Sequence, residues 1–432
     1  MLKINEESIS LVNQCESELK SIFQELDKKE LINSKKVLNA FHKNNLNESD
    51  LYGTYGYGYN DIGRDKIESI YSDIFGSEDS LVRREFVSGS HALSISLCSL
   101  LRPGDVFLSI SGEPYDTMHE VIGIKESDSS LKSYGVSYKE IDLVDNDFDY
   151  DKIKNSLNGI KLIYIQRSRG YSLRESLSIN KLEKVIKLIK SINKDIIIFV
   201  DNCYCEFVED KTPIQVGADI IVGSLIKNLG AGICTHGAYV TGKKDLIKLV
   251  SERLYLAGEG KDVGPSIESN RMFLMGLYMS PSVVNSSLKS SILISKVMDK
   301  LNYNVSPKWN QERCDIVEIL YLENEENLIN FATSIQESGP VNSGVLPTPG
   351  EMPGYSDKVI MASPSFTQGS SIEMSCDAPL RKPYALYIQG GLTYSYAKLA
   401  IMNAVSNLKN SWVKIHEFFF LIITYSHTPL PV

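Results

Sequence analysis

Short apolar runs alternate with stretches of helical periodicity between residues 84 and 242 of the chain. Such an alternation predicts parallel strands joined by helices that cover both faces of one sheet. Continuous apolar runs such as residues 196–200 are typical of strands that are buried on both faces. The predicted strands are REFVSG, DVFLSIS, YKEIDLV, KLIYIQ, DIIIFVDN, DIIVGSL and GAYVTG, and the clearest helices are HALSISLCSLL and NKLEKVIKLIKSI. We therefore expect a mostly parallel, seven-stranded sheet covered by helices.

The rest of the chain divides into an arm, a second domain and a tail. Apolar positions at helical spacing predict a helical arm over residues 1–50, followed by the large domain over residues 51–295. Residues 296–410 contain the strand patterns IVEILYL, VIMASPSF, SSIEMS and ALYIQG together with a helical stretch, which predicts a smaller α+β domain. The tail, residues 411–432, contains the apolar run FFFLIITY. That run is far shorter than the ~20 residues that span a bilayer.

Composition narrows the possible partners. The chain has 432 residues, 43% hydrophobic and 23% charged, with a net charge of −9 and no basic run, which argues against a nucleic acid partner. Its seven cysteines show no repeated spacing and are typical of reduced thiols in a cytoplasm. The N-terminal MLKINEESISLVNQ lacks the apolar core of a signal peptide. We therefore expect a cytoplasmic protein that acts on a small molecule, with neither nucleic acid nor membrane as a partner.

Polar side chains directly follow several of the predicted strands. The turn SGSHA follows REFV and opens a helix, and Tyr115 follows DVFLSIS in GEPYDT. Asp201 ends DIIIFVD, whereas Ser224 and Lys227 come after DIIVG. Each signal taken singly has an ordinary explanation, such as a helix capped by Ser90 or a solvated lysine. Because ligands bind at the carboxyl ends of parallel strands, we expect these side chains to meet at one edge of the sheet.

This set of side chains fits one cofactor. A turn at a helix N-terminus offers backbone N–H groups and the positive end of the helix dipole to a phosphate. An amine is a nucleophile only when neutral, and burial beside apolar residues is expected to lower the pKa of Lys227. A phosphate site, an aromatic ring, an aspartate and a lysine are what pyridoxal 5′-phosphate requires. A nicotinamide site is not supported, because GTYGYGYNDIG lacks G-x-G-x-x-G and follows no strand.

With these motifs in this order the chain resembles the methionine γ-lyase, or aluminium-resistance, family, whose members are fold-type-I pyridoxal-phosphate enzymes. The phrases that carry the resemblance are FVSGSHALS, RPGDVFLSISGEPYDT, IQRSRGYS, VDNCYCEFVE, GSLIKNLGAG and IQGGLTY. The resemblance covers roughly residues 50–405. It implies the catalytic residues: Lys227 would hold the aldehyde of the cofactor, Asp201 would pair with its pyridinium nitrogen, and Tyr115 would stack on its ring.

The resemblance also implies the remaining ligands of the cofactor. The phosphate would be held by Ser88, Gly89, Ser90 and Ser224. Tyr57 or Tyr59, together with Arg64, would reach the cofactor phosphate of a neighbouring subunit, which implies a homodimer or homotetramer with shared active sites.

Substrate binding calls for a guanidinium, since an amino acid carries a carboxylate that arginine binds with two hydrogen bonds. Arg381, in CDAPLRKPY, occupies a position like that of the carboxylate-binding arginine of the wider group. Arg167 and Arg169, in QRSRG, follow another predicted strand and could serve instead.

The activity implied by the resemblance is that of a pyridoxal-phosphate-dependent carbon–sulfur lyase. It would act on a sulfur-containing amino acid and release a thiol, a 2-oxo acid and ammonia. Two alternatives stay open at this point: another fold-type-I reaction, such as retro-aldol cleavage or transamination, and a cofactor-binding stress protein with little catalysis. The amino acid and the choice between elimination at Cβ and at Cγ are open as well.

Overall fold

The structure is a computed structural model that describes residues 2–352 and 357–408, so the apolar tail predicted over 411–432 lies outside the described residues. A seven-stranded sheet with the order β1-β7-β6-β5-β4-β2-β3 forms the centre of the large domain. Strands β2 to β6 are parallel, and β7 runs antiparallel to β1 and β6. The mostly parallel sheet predicted from the sequence is therefore confirmed. The strands are β1 (Asp79–Arg83), β2 (Val106–Ser109), β3 (Ser137–Glu140), β4 (Leu162–Gln166), β5 (Ile197–Asp201), β6 (Ile220–Ser224) and β7 (Ala238–Gly242).

The first strand differs from the prediction. It is DSLVR rather than REFVSG, because Leu81 pairs with Val240 across the β1–β7 ladder and both side chains are buried. The chain turns immediately after Arg83, and Val87, inside the predicted strand, is exposed. The apolar residues of REFVSG therefore belong to the turn that leads into the next helix.

Helices cover both faces of this sheet because successive strand residues point to opposite sides. In β4, Leu162 and Tyr164 belong to the core on one face, whereas Ile163 and Ile165 belong to the core on the other. The helices of the first 300 residues are α1 (Glu6–Glu18), α2 (Lys20–Lys43), α3 (Ile62–Phe75), α4 (Gly89–Leu100), α5 (His119–Ile122), α6 (Tyr150–Ser156), α7 (Ile179–Ile192), α8 (Lys244–Leu254) and α9 (Ser269–Lys300). No helix within the described ranges is both long enough and apolar enough to cross a membrane.

A second, fully antiparallel sheet with the order β10-β11-β12-β9-β8 forms the smaller domain. The prediction of a strand at SSIEMS is wrong, since only the last residue of that segment, Ser375, belongs to a strand. The Glu373 carboxylate accepts hydrogen bonds from the backbone N–H groups of Phe366 and Thr367, and these bonds hold this segment as a loop. The elements are β8 (Val305–Ser306), β9 (Glu318–Tyr321), α10 (Glu325–Ser338), β10 (Val359–Ala362), β11 (Ser375–Pro379), β12 (Ala385–Gln389) and α11 (Tyr394–Ser406).

The N-terminal arm packs against the smaller domain. Leu11, Val12 and Cys15 of α1 are buried in the same core as Val297 of α9 and Ile401 of α11. The predicted arm is thus helical, and its apolar stripe contributes to a core shared with the second sheet.

Candidate active site

A cavity of about 430 Å³ lies where the carboxyl ends of the large sheet face the smaller domain. Residues Gln166 and Asp201 end the neighbouring strands β4 and β5 in register, and Ser224 ends the next strand, β6. This shared edge brings the predicted side chains together. The seven candidates predicted at the strand ends and at the turn that opens α4 all line the cavity: Ser88, Gly89, Ser90, Tyr115, Asp201, Ser224 and Lys227.

The turn that opens α4 forms a narrow cradle beside Ser224. A Cβ atom at Gly89 would lie only 3.1 Å from Ser224 Cβ and 3.6 Å from Cys203 Sγ, so a side chain at this position would fill the space. The N-cap is Ser88, whose Oγ accepts a hydrogen bond from His91 N at 3.1 Å. The alternative explanation, in which Ser90 caps the helix, is therefore wrong. The Oγ of Ser90 lies instead 2.9 Å from Thr117 Oγ1.

Asp201 provides a buried carboxylate at the end of β5. Its Oδ1 accepts a hydrogen bond from Cys203 N at 3.0 Å. Burial raises the pKa of Asp201, and the Cys203 hydrogen bond and the nearby charge of Lys227 oppose that rise. A buried carboxylate of this kind is suited to pairing with a cationic ring nitrogen.

Tyr115 places an aromatic ring on the cavity wall. Its backbone N–H donates to Gln166 Oε1 at 2.8 Å, and its ring lies edge-on to Tyr171 with 5.8 Å between centroids. Gly170 leaves room for this ring, because a Cβ there would lie 2.9 Å from Tyr115 Cδ2. Gly170 also has a φ of +58°, a conformation that glycine adopts without strain.

Lys227 follows β6 and points its ammonium at an aromatic face. Its Nζ lies 3.8 Å from the centroid of the Tyr204 ring. Burial by itself would lower the pKa of Lys227, but Tyr204, Cys203 and Asp201 together outweigh it and raise that pKa above its ordinary value. The expectation that burial makes this amine neutral is therefore wrong, because the lysine is buried among groups that can carry negative charge rather than among apolar side chains alone.

The N-terminal loop candidates lie outside the cavity lining. Tyr57 and Tyr59 are stacked at 5.6 Å and are 72% and 53% exposed. Arg64 is buried and donates from Nη1 to the carbonyl oxygens of Gly58 at 2.7 Å and Gly264 at 2.8 Å. The guanidinium thus holds the loop within its own chain, and contact of these three residues with a partner's cofactor stays a prediction.

Two of the three candidate arginines, Arg169 and Arg381, line a second cavity of about 340 Å³, whereas Arg167 is buried elsewhere and pairs with Glu209. Arg381 is half-exposed and pairs with Asp357 at 2.6 Å. Arg169 is buried, and its Nη1 donates to the carbonyl oxygen of Ser306 at 3.2 Å and to its Oγ at 3.1 Å. Neither arginine lines the first cavity. Both cavities share the residues Tyr115, Gln166, Gly170 and Tyr171, so the second is a direct extension of the first.

Sequence reasoning missed several residues of the first cavity. Tyr171 and Gln389 lie within the quoted phrases IQRSRGYS and IQGGLTY, and Tyr204 lies three residues after Asp201, so these motifs contained a usable signal. The sequence contains no such signal for Asp377 and Tyr387, because both lie inside strands of the antiparallel sheet rather than after a parallel strand.

Comparison with known proteins places the chain in a family. The model of the methionine gamma-lyase family matches residues 8–409. The uncharacterized protein YnbB of Bacillus subtilis (strain 168) is 42% identical over 399 residues, which cover 91% of this chain and 95% of that protein. A solved structure from Clostridium novyi NT, described as a carbon-sulfur lyase involved in aluminum resistance, is 42% identical, covers 93% of this chain and 96% of that chain, and has a TM-score of 0.90. The chain belongs to the methionine gamma-lyase family, as the sequence predicts.

More distant structures share the fold alone. The pyridoxal-5′-phosphate-dependent protein YhfS from Escherichia coli is 14% identical with a TM-score of 0.61, and the match covers 88% of this chain and 97% of that one. Together with the two sheets, this likeness identifies the architecture as that of fold-type-I pyridoxal-phosphate enzymes.

Proposed function

We propose that this chain is a pyridoxal-phosphate-dependent carbon–sulfur lyase that acts on a sulfur-containing amino acid. Membership of the methionine gamma-lyase family and the described activity of the Clostridium novyi relative support this class. The observation that carries the proposal is the meeting of Lys227, Asp201 and the Gly89 cradle in one cavity at the strand ends.

The residues present fit this cofactor. The backbone N–H groups of Gly89 and Ser90, with the hydroxyl of Ser224, would hold its phosphate in the cradle that a Cβ at position 89 would fill. Asp201 would pair with its ring nitrogen and Tyr115 would cover its ring. When bound, pyridoxal phosphate supplies an electron sink that stabilises negative charge at the α-carbon of an amino acid.

Lys227 would do the proton chemistry. The raised pKa of its amine means that the free side chain is protonated at neutral pH, so Lys227 would have to lose that proton before it could hold the cofactor aldehyde. As a base beside the bound substrate, Lys227 would take the proton from the α-carbon. The same surroundings that raise its pKa would then hold the proton firmly.

The substrate carboxylate would lie toward the second cavity. The cation at the first cavity is Lys227, and no arginine is among the described residues that line it. Arg169 and Arg381 both line the adjoining space beyond Tyr115 and Tyr171. We therefore propose that one of these arginines anchors the carboxylate.

A panel of amino acids tests the proposed reaction. Purified protein loaded with pyridoxal phosphate would be mixed with methionine, cystathionine, cysteine and threonine while its visible spectrum, thiol and ammonia are followed. We expect thiol and ammonia to appear together with at least one sulfur-containing substrate. Glycine and an aldehyde from threonine would indicate retro-aldol cleavage, and a 2-oxo acid without ammonia would indicate transamination. A spectrum that no amino acid changes would indicate a binding protein and contradict the proposal.

We also propose that two copies share their active sites. The motivating feature is the pair Tyr57 and Tyr59, exposed on a loop that Arg64 fixes from inside. Analytical ultracentrifugation should show a dimer or tetramer. Replacing both Tyr57 and Tyr59 by alanine should shift the distribution of oligomers toward smaller species. Tyr134→Ala, a change at another exposed tyrosine, should leave that distribution unchanged. A fully active monomer would contradict shared sites.

A further inference from the structure

The smaller domain contributes an acid that cofactor binding does not use. Within the described part of the chain, two carboxyl groups line the 430 Å³ cavity, those of Asp201 and Asp377. Asp201 ends a strand of the large sheet. Asp377 enters from the opposite side, on β11, where it pairs in register with Tyr387 of β12. The cavity therefore has an acid on each side.

The immediate partners of Asp377 leave its carboxyl without a cation in direct contact. Its Oδ2 is 3.4 Å from Gln389 Nε2, and that amide also donates to Ser375 Oγ at 3.1 Å. Tyr171 gives a further hydrogen bond, and Lys227 contributes a positive charge across the cavity. The titratable neighbours on its own sheet are Cys376 and Tyr387, both neutral at pH 7.

Burial has the largest effect on Asp377 and raises its pKa to about 6. The hydrogen bonds of Gln389 and Tyr171 and the charge of Lys227 lower the pKa, but by less. A carboxyl in this range holds a proton for part of the time near neutral pH and can donate it. A carboxylate built to bind a substrate ammonium would instead need to stay ionised.

Two other hydroxyl groups on the cavity wall, those of Tyr387 and Tyr204, already have hydrogen-bond partners. The Tyr387 hydroxyl donates to the carbonyl oxygen of Tyr171 at 2.7 Å, and the Tyr204 hydroxyl lies 3.0 Å from Ser371 Oγ. Burial also raises the pKa of Tyr387, which makes it a weaker acid.

We propose that Asp377 is the proton donor to the leaving sulfur atom, an inference that rests on the proposed lyase function. In a β-elimination, the carbon–sulfur bond breaks and its electron pair goes to sulfur. The proton of the Asp377 carboxyl moves to that sulfur, so a neutral thiol leaves and Asp377 is left as a carboxylate. The electron pair of the α-C–H bond, whose proton goes to Lys227, forms the new carbon–carbon double bond. Before the next turnover Lys227 releases the proton that it took from the α-carbon, and solvent returns one proton to Asp377, so the number of protons balances.

The test compares two leaving groups in Asp377→Asn. An alkyl thiolate is a poor leaving group that needs a proton, whereas chloride leaves without one. Asp377→Asn should lower kcat for S-methylcysteine by about 10²-fold or more, as expected for loss of a general acid, and change kcat for 3-chloroalanine by no more than about twofold. Asp377→Glu should recover part of the thiol reaction. An equal loss with both substrates, or a rise in KM alone, would overturn the assignment.

A second measurement does not depend on turnover. The infrared spectrum of the cofactor-free protein should contain a carboxylic acid C=O band that titrates near pH 6 and is absent from Asp377→Asn. Identical spectra of the two proteins would overturn the assignment. Retention of the visible cofactor band and of the melting temperature in Asp377→Asn would show that the variant is folded.

Failure of the underlying function gives a different result. A wild-type protein that eliminates from neither S-methylcysteine nor 3-chloroalanine would contradict the lyase proposal, and the inference would fall with it. A wild-type protein active on both, with a variant impaired equally on both, would contradict the role of Asp377 alone.

Discussion

The two walls of the cavity differ in how they are built. The large-domain wall comes from turns that follow strands of a mostly parallel sheet, and it contains Asp201 and Lys227. The small-domain wall comes from an antiparallel sheet and its loops, and it contains Asp377 and Gln389. Parallel strands deliver their carboxyl ends to one edge, so residues from distant motifs converge there. An antiparallel sheet has no such common edge.

On this account, the large-domain wall binds the cofactor and the small-domain wall contributes to the choice of substrate. The residues proposed to hold pyridoxal phosphate are on the large-domain wall, at strand ends and at a helix N-terminus. The small-domain wall and the adjoining cavity face the space that a substrate would occupy. That adjoining cavity is lined by Arg169 from the large domain and Arg381 from the smaller one. Changes to the first wall should therefore affect cofactor binding and turnover together, and changes to the second should depend on the substrate.

The largest effect is expected for Lys227→Ala. Loss of the only lysine on the cavity wall among the described residues should remove the visible band of the bound cofactor and lower turnover by at least about 10²–10⁴-fold. Absorbance and steady-state kinetics measure both effects. Lys243→Ala is the matched control, because Lys243 is half-exposed and pairs with Asp219 at 2.7 Å away from the cavity. If Lys227→Ala kept the visible band, the large-domain wall would not be the wall that holds the cofactor.

Asp201→Asn should have the next largest effect. The amide keeps the shape of the side chain but loses the negative charge that would keep the ring nitrogen of the cofactor protonated. We expect turnover to fall by about 10²-fold or more, with cofactor still bound, as for other losses of a preorganised charge. Turnover close to that of the wild type would show that the large-domain wall does not act on the ring nitrogen.

Gly89→Ala should weaken cofactor binding without ending it. The added Cβ would lie 3.1 Å from Ser224 Cβ and take space from the phosphate, so we expect the Kd for pyridoxal phosphate to rise about tenfold, or ~1.4 kcal/mol. Fluorescence titration measures this Kd. Gly344→Ala is the control, since a Cβ there would meet no atom within 4 Å. Equal Kd values for pyridoxal phosphate in the two variants would contradict the proposal that the turn at Gly89 holds the phosphate.

Changes in the adjoining cavity should have smaller and substrate-dependent effects. Arg169→Gln should raise KM for the amino acid by about 10- to 100-fold, the cost of a lost charge-assisted hydrogen bond, and keep the cofactor band. Arg381→Gln should raise it less, because Arg381 is half-exposed and already paired with Asp357. Steady-state kinetics of the two variants separate these candidates. The reverse order would identify Arg381 as the carboxylate anchor.

The sequence predicts the large-domain wall well and the small-domain wall poorly. Asp201 and Ser224 end strongly apolar strands and Lys227 follows one, so the strand pattern gives their positions directly. The strand predicted at SSIEMS is instead a loop held by the Glu373 carboxylate, a long-range feature that periodicity does not contain. That error also displaced β11, the strand that carries Asp377.

The pKa of Lys227 shows a second limit of sequence reasoning. Apolar neighbours in the chain predict a lowered pKa, but Lys227 lies close to Asp201, the last residue of β5, and to Tyr204 in the turn that follows. Charges close in space and distant along the chain therefore decide the direction of the shift.

Borohydride reduction followed by peptide mapping tests the central claim most directly. Reduction of protein loaded with pyridoxal phosphate fixes the cofactor to the lysine that holds it, and mass spectrometry identifies that residue. We predict a single modified lysine, Lys227, in the peptide that contains GSLIKNLGAG. Modification of a different lysine, or no site-specific modification at all, would contradict the assignment of this cavity as the active site.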